Sequence, residues 1–181
     1  MKTKTLHINN MNYDCCIRVV EMEMKTLKVT VKKIKLGEVV ISYDSSKLSM
    51  QNIEKALKRN GFSLLTNKND ILVEDIRRTI IDLVHHTTYN AMVRNSDYLV
   101  GKFGKTYPYL SSLFSKYEGI TLEKYIILQK IEKVKSLIKD NELTLSEIAF
   151  MMGYSSVQYL STQFKTITGI SVSEFKKPHG K

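Results

Sequence analysis

Several things are scarce in this chain of 181 residues. Cysteine occurs only twice, at the adjacent positions Cys15 and Cys16. Two cysteines exclude a disulfide scaffold and make a reducing, cytoplasmic setting the default expectation. No apolar run approaches the roughly 18–20 residues that a membrane-spanning helix requires, so no membrane partner is expected. The opening "MKTKTLHI" has basic residues without an apolar stretch behind them, and no export signal is expected from it. Catalytic signatures are missing too. There is no nucleophile elbow, no phosphate-binding glycine loop and no pair of carboxylates at a usable spacing. No enzyme activity and no catalytic residue is expected.

Acidic side chains are also in short supply. Eighteen Asp and Glu face 28 Lys and Arg, a net charge of +10. The excess is shared: residues 1–66 carry 12 basic against 6 acidic side chains, and residues 92–181 carry 13 against 8. Such a balance favours an anionic partner, nucleic acid first and a membrane surface second. A hydrophobic content of 43% leaves enough apolar material for a core in each half.

What is present begins with a repeat. The stretch "YLSSLFSKYEGI" (109–120) aligns with "YLSTQFKTITGI" (159–170) at an offset of 50, with Tyr, Leu, Ser, Phe, Gly and Ile in the same places. Upstream the offset is 49, where Gly104 answers Gly153 and Thr106 answers Ser155. Self-similarity at such a period points to one supersecondary unit used twice. Each copy reads as helix, tight turn, helix. In the second, Ser146 is the expected N-cap of "EIAFMM", Gly153 supplies a left-handed turn residue, and Ser155 caps a helix carrying Tyr159 (or Leu160), Phe164 and Ile167 on its apolar face. In the first, Gly104 is the turn, Thr106 the cap, and Leu110, Leu113 and Phe114 the buried stripe. This is a helix-turn-helix pattern, whose second helix can enter a major groove of DNA.

Between the copies, "TLEKYIILQKIEKVKSLIKD" (121–140) places Ile127, Ile131, Val134 and Ile138 on one face of a long helix. About 19 residues at about 1.5 Å each give a rod close to 28 Å long. Equivalent points on one face of B-DNA recur about every 34 Å, so such a rod can hold two recognition helices over successive grooves.

Residues 92–177 resemble the DNA-binding domain of AraC/XylS-type transcription regulators, through "YLSSLFSKYEGITLEKYIILQKIEKVKSLI" and "LTLSEIAFMMGYSSVQYLSTQFKTITGISVSEFKK". Val172 stands where that family usually has proline, Val134 where it has alanine, and Lys130 where it often has arginine. The resemblance implies base contacts from Pro108, Ser111 and Ser112 in the first recognition helix and from Val157, Gln158, Tyr159 and Thr162 in the second. It extends the contact set to Thr106, Tyr107, Ser155 and Ser156 at the helix starts, to Lys130 at a phosphate, and to Lys165. Gln158 suits an adenine edge and Val157 a thymine methyl. Arginine, the commonest reader of guanine, occupies none of these places, so A·T-rich or deformable sites are expected, or selectivity supplied by a second subunit or DNA shape. The expected partners are double-stranded DNA, RNA polymerase and a second copy of the chain.

The first half alternates differently. "KTLHI", "KVTVKKIKL", "EVVISYD" and "FSLL" read as strands, and "CCIRVVEMEMKTL" and "LSMQNIEKALKRNG" as helices, with a turn at Gly37 and a stop at Gly61. Met22 and Met24 read as core filler. The order βαββαβ predicts a ferredoxin-like sandwich. The expected fold is therefore α+β: a ferredoxin-like module over residues 1–66, then over residues 67–181 an all-α domain with two helix-turn-helix motifs joined by a long helix. The segment "TNKND" (66–70) reads as the linker. The helix "ILVEDIRRTIIDLVHH" (71–86) buries Val73, Ile76, Ile80 and Leu83 (or Val84), and its trailing His85-His86 complements the helix dipole.

The first half also resembles heavy-metal-associated, copper-chaperone-like domains, whose loop carries methionine, one residue, cysteine, two residues, cysteine. Here Met11 and Cys16 match, but Tyr13, a poor soft-metal ligand, holds the first cysteine's place. Three readings of "MNYDCC" follow: a relic without metal, a modified soft-metal, arsenical or thiol-sensing site using Cys15 and Cys16, and plain core packing. The first is preferred, because adjacent residues at a helix start point about 100° apart and Cys15 does not stand in for the missing thiolate. No cofactor is expected, a soft metal ion being the one the loop raises. Two functions compete: a DNA-binding transcription regulator whose first module senses, dimerises or contacts a partner, and a Cu(I) carrier or metal-responsive regulator.

Overall fold

The computed structural model describes residues 1–86 and 94–177. Residues 87–93 and 178–181, which belong to the expected second domain, lie outside the described residues. The chain forms two compact units, Met1–Arg78 and Thr79–Lys181. Among the described residues no helix is long and apolar enough to cross a membrane.

The first unit is a small α+β layer structure with the element order β1 (Lys2–Asn9), α1 (Asp14–Thr26), β2 (Thr30–Lys35), β3 (Glu38–Tyr43), α2 (Met50–Arg59) and β4 (Ser63–Leu65). Its four strands run in the order β2-β3-β1-β4, with every neighbouring pair antiparallel. Period-two patterning sets the register: Leu6 opposes Val39, and Leu6, Ile8, Val39, Ile41 and Tyr43 all turn to the core. The two helices supply Val20, Met24, Ile53 and Leu57 to the same core. Met24 is core filler as expected, but Met22 is 68% exposed. The two methionines lie two residues, about 200°, apart on one helix and cannot share a face. Ser49 caps α2 by accepting a hydrogen bond from the Asn52 N–H at 3.3 Å.

The second unit is helical. After the C-terminal part of α3 (Lys68–His85) come α4 (Asn95–Phe103), α5 (Tyr107–Glu118), α6 (Leu122–Asp140), α7 (Leu145–Met151), α8 (Val157–Thr168) and α9 (Val172–Lys176). Phe114 of α5 and Phe164 of α8 are fully buried at equivalent places in the repeat. Phe114 meets Tyr125 at a ring separation of 5.2 Å, and Phe164 meets Phe175 edge-on at 5.4 Å. Ile131, Val134, Ile138, Ile148, Leu160 and Val172 close the core around Phe164. Val172 therefore packs as a core residue at the start of α9, where Ser171 and Glu174 form a capping box.

The division between units falls inside α3 and not in the 66–70 segment. The reason is a polar anchor on the first turns of that helix. Glu74, 2% exposed, accepts from the Asn10 N–H at 3.2 Å and pairs with Arg77 and Arg78. Arg77 donates to Asn9 Oδ1 at 3.4 Å, and Arg78 to the Ile8 carbonyl at 3.3 Å. The Arg78 guanidinium lies where a Cβ on Gly37 would stand, and Gly37 has a φ of +75°. Glycine is needed there on both counts. α3 thus begins as part of the sheet-containing unit. We expect Glu74→Ala to destabilise the first unit by about 2 kcal/mol, because two partly buried guanidinium groups and a backbone N–H lose an acceptor they share and keep only their other partners. Chemical denaturation of the full chain checks this: a loss under about 1 kcal/mol would mean that the anchor does not hold α3.

Candidate nucleic-acid interface

The two copies of the repeat fold as α4-turn-α5 and α7-turn-α8. Gly104 ends α4 with φ +60°, and Gly153 follows α7 with φ +69°. Both glycines occupy the left-handed region their position demands. The caps differ from expectation in the second copy. Thr144, not Ser146, opens α7, in a capping box with Glu147. Ser156, not Ser155, opens α8, accepting from the Tyr159 N–H at 3.1 Å. The first turn runs Gly104-Lys105-Thr106 and the second Gly153-Tyr154-Ser155-Ser156. One added residue explains why the repeat offset changes from 49 to 50 across the turn.

The expected contact residues do not behave alike. On α8, Gln158 and Lys165 are exposed and Tyr159 is 51% exposed. Thr162 is exposed as well, but its hydroxyl donates to the Gln158 carbonyl at 2.9 Å, leaving its oxygen as an acceptor. Val157 is half-buried and packs on the core around Phe164. On α5, Pro108 and Ser112 are exposed, Ser111 is half-buried, and Thr106 precedes the helix without a side-chain cap bond. Ser155 and Ser156 are exposed in the second turn. Tyr107 is drawn inward: its hydroxyl donates to Glu123 Oε1 at 2.7 Å, and burial together with that carboxylate pushes its pKa above the usual range. Lys130 is also engaged. Its Nζ donates to the Met152 carbonyl at 2.7 Å and lies 5.7 Å from the centre of the Tyr154 ring, while burial lowers its pKa. That bond uses one of the three protons of the ammonium expected at a phosphate.

Two residues were not singled out in the sequence. Tyr109, 46% exposed with Lys105 Nζ at 5.9 Å from its ring centre, occupies on α5 the place of Tyr159 on α8. The aligned repeat carried that signal. Tyr154 belongs to the longer turn and packs edge-on against Tyr159 at 5.8 Å. Only comparison of the two turn lengths could have marked it.

The family described as "Helix-turn-helix domain" matches residues 99–178. Over 92 residues the chain is 27% identical to the Msm operon regulatory protein of Streptococcus mutans, covering 51% of this chain and 33% of that protein. It is 24% identical over 120 residues to the transposon Tn10 TetD protein of Escherichia coli, covering 66% and 85%. The C-terminal domain of AraT, a response regulator from Geobacillus stearothermophilus, superposes with a TM-score of 0.52 at 22% identity, covering 64% of this chain and 95% of that one. A transcriptional regulator with an AraC-type DNA-binding domain from Chromobacterium violaceum gives 0.50 at 16% identity, covering 61% and 94%. These last two likenesses concern the fold.

The C-terminal half is an AraC-type helix-turn-helix DNA-binding domain. The chain spans a third of the Msm operon regulator's length and 17% of that of the Bacillus subtilis regulator YtdP, to which it is 23% identical.

The cysteine loop lies in the other unit. Met11 is fully buried in the first core, and Cys16 packs against that core with its Sγ 3.9 Å from the Asn10 carbonyl. Tyr13 is 52% exposed and Cys15 is exposed. The two sulfurs therefore serve different surroundings, and Met11 is committed to packing. Among the described residues no group of three or more His, Cys, Asp or Glu side chains could hold a metal ion.

At the end of α3, His85 Nε2 lies 3.2 Å from Gln129 Oε1 of α6. Burial, outweighing the opposing effect of the Gln129 bond, lowers its pKa below the ordinary histidine value. Its neutral form is thereby favoured, and the Gln129 contact ties the end of α3 to α6 within the second unit. The sign of its linkage is fixed: with the folded pKa below the unfolded one, its contribution is complete above about pH 6.5 and is lost as pH falls through that value. Thermal unfolding between about pH 7.5 and about 5.5 should show stability declining on acidification, with a shallower decline in His85→Gln. An identical slope in the variant would remove His85 from this account.

Proposed function

We propose that this chain is a sequence-specific transcription regulator of the AraC/XylS type that binds double-stranded DNA through two helix-turn-helix motifs. In this reading α5 and α8 enter successive major grooves, with Gln158, Tyr159, Thr162, Pro108 and Ser112 at the bases. The observation that carries it is the repeated arrangement of left-handed glycine, capped helix and buried Phe on either side of the 19-residue α6. At about 1.5 Å per residue α6 is about 28 Å long, close to the roughly 34 Å repeat of the duplex once the helix offsets are added. Neither α5 nor α8 contains arginine, which favours A·T-rich or deformable sites over guanine-reading. Lys165, exposed near the end of α8, suits a phosphate.

The first unit, read as a ferredoxin-like module of the heavy-metal-associated kind, is proposed to act in sensing, dimerisation or partner contact, without a resident metal. RNA polymerase and a second copy of the chain are its proposed protein partners, the cytoplasm its setting, and catalysis no part of its role.

Gln158→Ala should weaken binding to the preferred site by about 1–3 kcal/mol and leave random DNA unaffected. Lys165→Ala should weaken both alike and flatten the salt dependence by about one unit of log-log slope. Fluorescence anisotropy over a salt series measures both. Gln158→Ala binding specific and random DNA as the unmodified chain does would place α8 elsewhere.

The loop gives a separate expectation. Cys15→Ser with Cys16→Ser should leave DNA affinity unchanged with or without Cu(I), whereas Tyr13→Cys should create Cu(I) binding through the new thiolate and Cys16. Chelator competition on the full chain measures uptake, and tight Cu(I) uptake by the unmodified chain, lost on removing Cys15, would sink the relic reading.

A further inference from the structure

Within the second unit, a cleft of about 420 Å³ opens between the two helix pairs, over α6. Its volume falls in the range of small-molecule sites. Ile126 and Ile127 form an apolar floor, and Tyr154 and Tyr159 present aromatic rings. Two of the lining polar atoms, Asn95 Oδ1 and the Tyr154 hydroxyl, are buried and have no hydrogen-bond partner among the described residues. Native structures leave few such atoms, and each one destabilises the fold unless a partner arrives. Burial, reinforced by Tyr159, pushes the Tyr154 pKa up to about 12, so its hydroxyl stays protonated and able to donate. Lys130 adds a half-buried ammonium that uses one of its three protons on the Met152 carbonyl. By contrast Tyr107 and Glu123, also on the rim, satisfy each other.

We infer that this cleft binds a small planar aromatic acid. The ring would lie between the tyrosines above the two isoleucines, where offset and edge-on aromatic contacts are favoured. The carboxylate would pair with Lys130 and accept from the Tyr154 hydroxyl, and an N–H or O–H on the ring would donate to Asn95 Oδ1. Tyr159 is the gate. It is half-exposed, edge-on to Tyr154, and free to change rotamer on the timescale of surface side chains. Because Tyr159 is also a proposed base contact, an occupied cleft would compete with DNA for it. That second step rests on the function proposed above, whereas binding of the acid does not.

The experiment is thermal unfolding of the full chain with 4-aminobenzoate or 4-hydroxyphenylacetate at millimolar concentration, against cyclohexanecarboxylate and benzylamine. At least one aromatic acid should raise the Tm, because a ligand that binds only the folded state stabilises it, and the non-aromatic acid and the amine should not. Tyr154→Phe should have a higher Tm than the unmodified chain without ligand, since it removes an unpartnered hydroxyl, and should bind the acid about tenfold more weakly. Lys130→Met should lose at least as much, and Tyr154→Phe suffices if that variant does not fold. The inference is overturned if no aromatic acid shifts the Tm, if Tyr154→Phe retains the full shift, or if it lowers the Tm without ligand. In a parallel titration the acid should weaken DNA binding. A Tm rise without that effect keeps the site and removes the competition. A chain that binds the acid but no DNA contradicts the proposed function and leaves the site standing.

Discussion

One continuous helix fixes the distance on which the whole second unit depends. α6 buries Leu122 and Ile126 in its N-terminal half and Ile131, Val134 and Ile138 in its C-terminal half. Its first turns reach the first helix pair through Tyr125 on Phe114 and Glu123 under Tyr107. Its later turns reach the second through Val134, Ile138 and Lys130. A helix has almost no freedom in its rise per residue, so the separation of α5 and α8 is set by the number of residues between them and not by loop chemistry. Each Phe is fully buried in its own pair. Truncating either would remove about 3–5 kcal/mol of packing and release one recognition helix from the rod.

The two halves of the repeat share that framework but not their polar detail. The first turn has two residues after its glycine before the helix begins, and the second has three. The added residue swings Tyr154 toward α6, where Lys130 lies over its ring and is held by Met152. A lysine so placed is partly dehydrated, with one of its three protons committed. Tyr107 is committed in the same way, to Glu123. Near the starts of α5 and α8 the exposed side chains are neutral: Gln158, Tyr159, Pro108, Tyr109 and Ser112. The positive charge available for phosphates must come from Lys165 and other surface lysines, which argues for binding whose sequence preference is modest beside its salt dependence.

In the first unit the end of the sheet that carries the cysteine loop has become a structural joint. Asn9 and Asn10 there meet Arg77 and Glu74 of α3, while Cys16 and Met11 turn inward to the core. A loop whose backbone N–H is held by a buried carboxylate is poorly suited to reshaping around a metal ion. The same carboxylate and its two arginines tie the start of α3 to the sheet, and that helix continues into the second unit without a break.

Periodicity and spacing determined much of this protein from sequence alone. Alternation in residues 1–65 and the 3.6-residue pattern beyond them marked every helix and strand named in advance, because apolar faces must be buried in register. Turn glycines were legible for the same local reason: Gly37, Gly104 and Gly153 are needed wherever the backbone turns left-handed. Caps one residue or two away, at Thr144 and Ser156, were not, since each neighbouring Ser or Thr can cap a helix that starts just after it and only the path of the chain decides where the helix starts. The tertiary structure alone decided which polar side chains remain available. Whether Tyr107, Lys130, His85 or Cys16 faces solvent depends on Glu123, Met152, Gln129 and the core brought to it from elsewhere in the chain, and no local pattern encodes those partners.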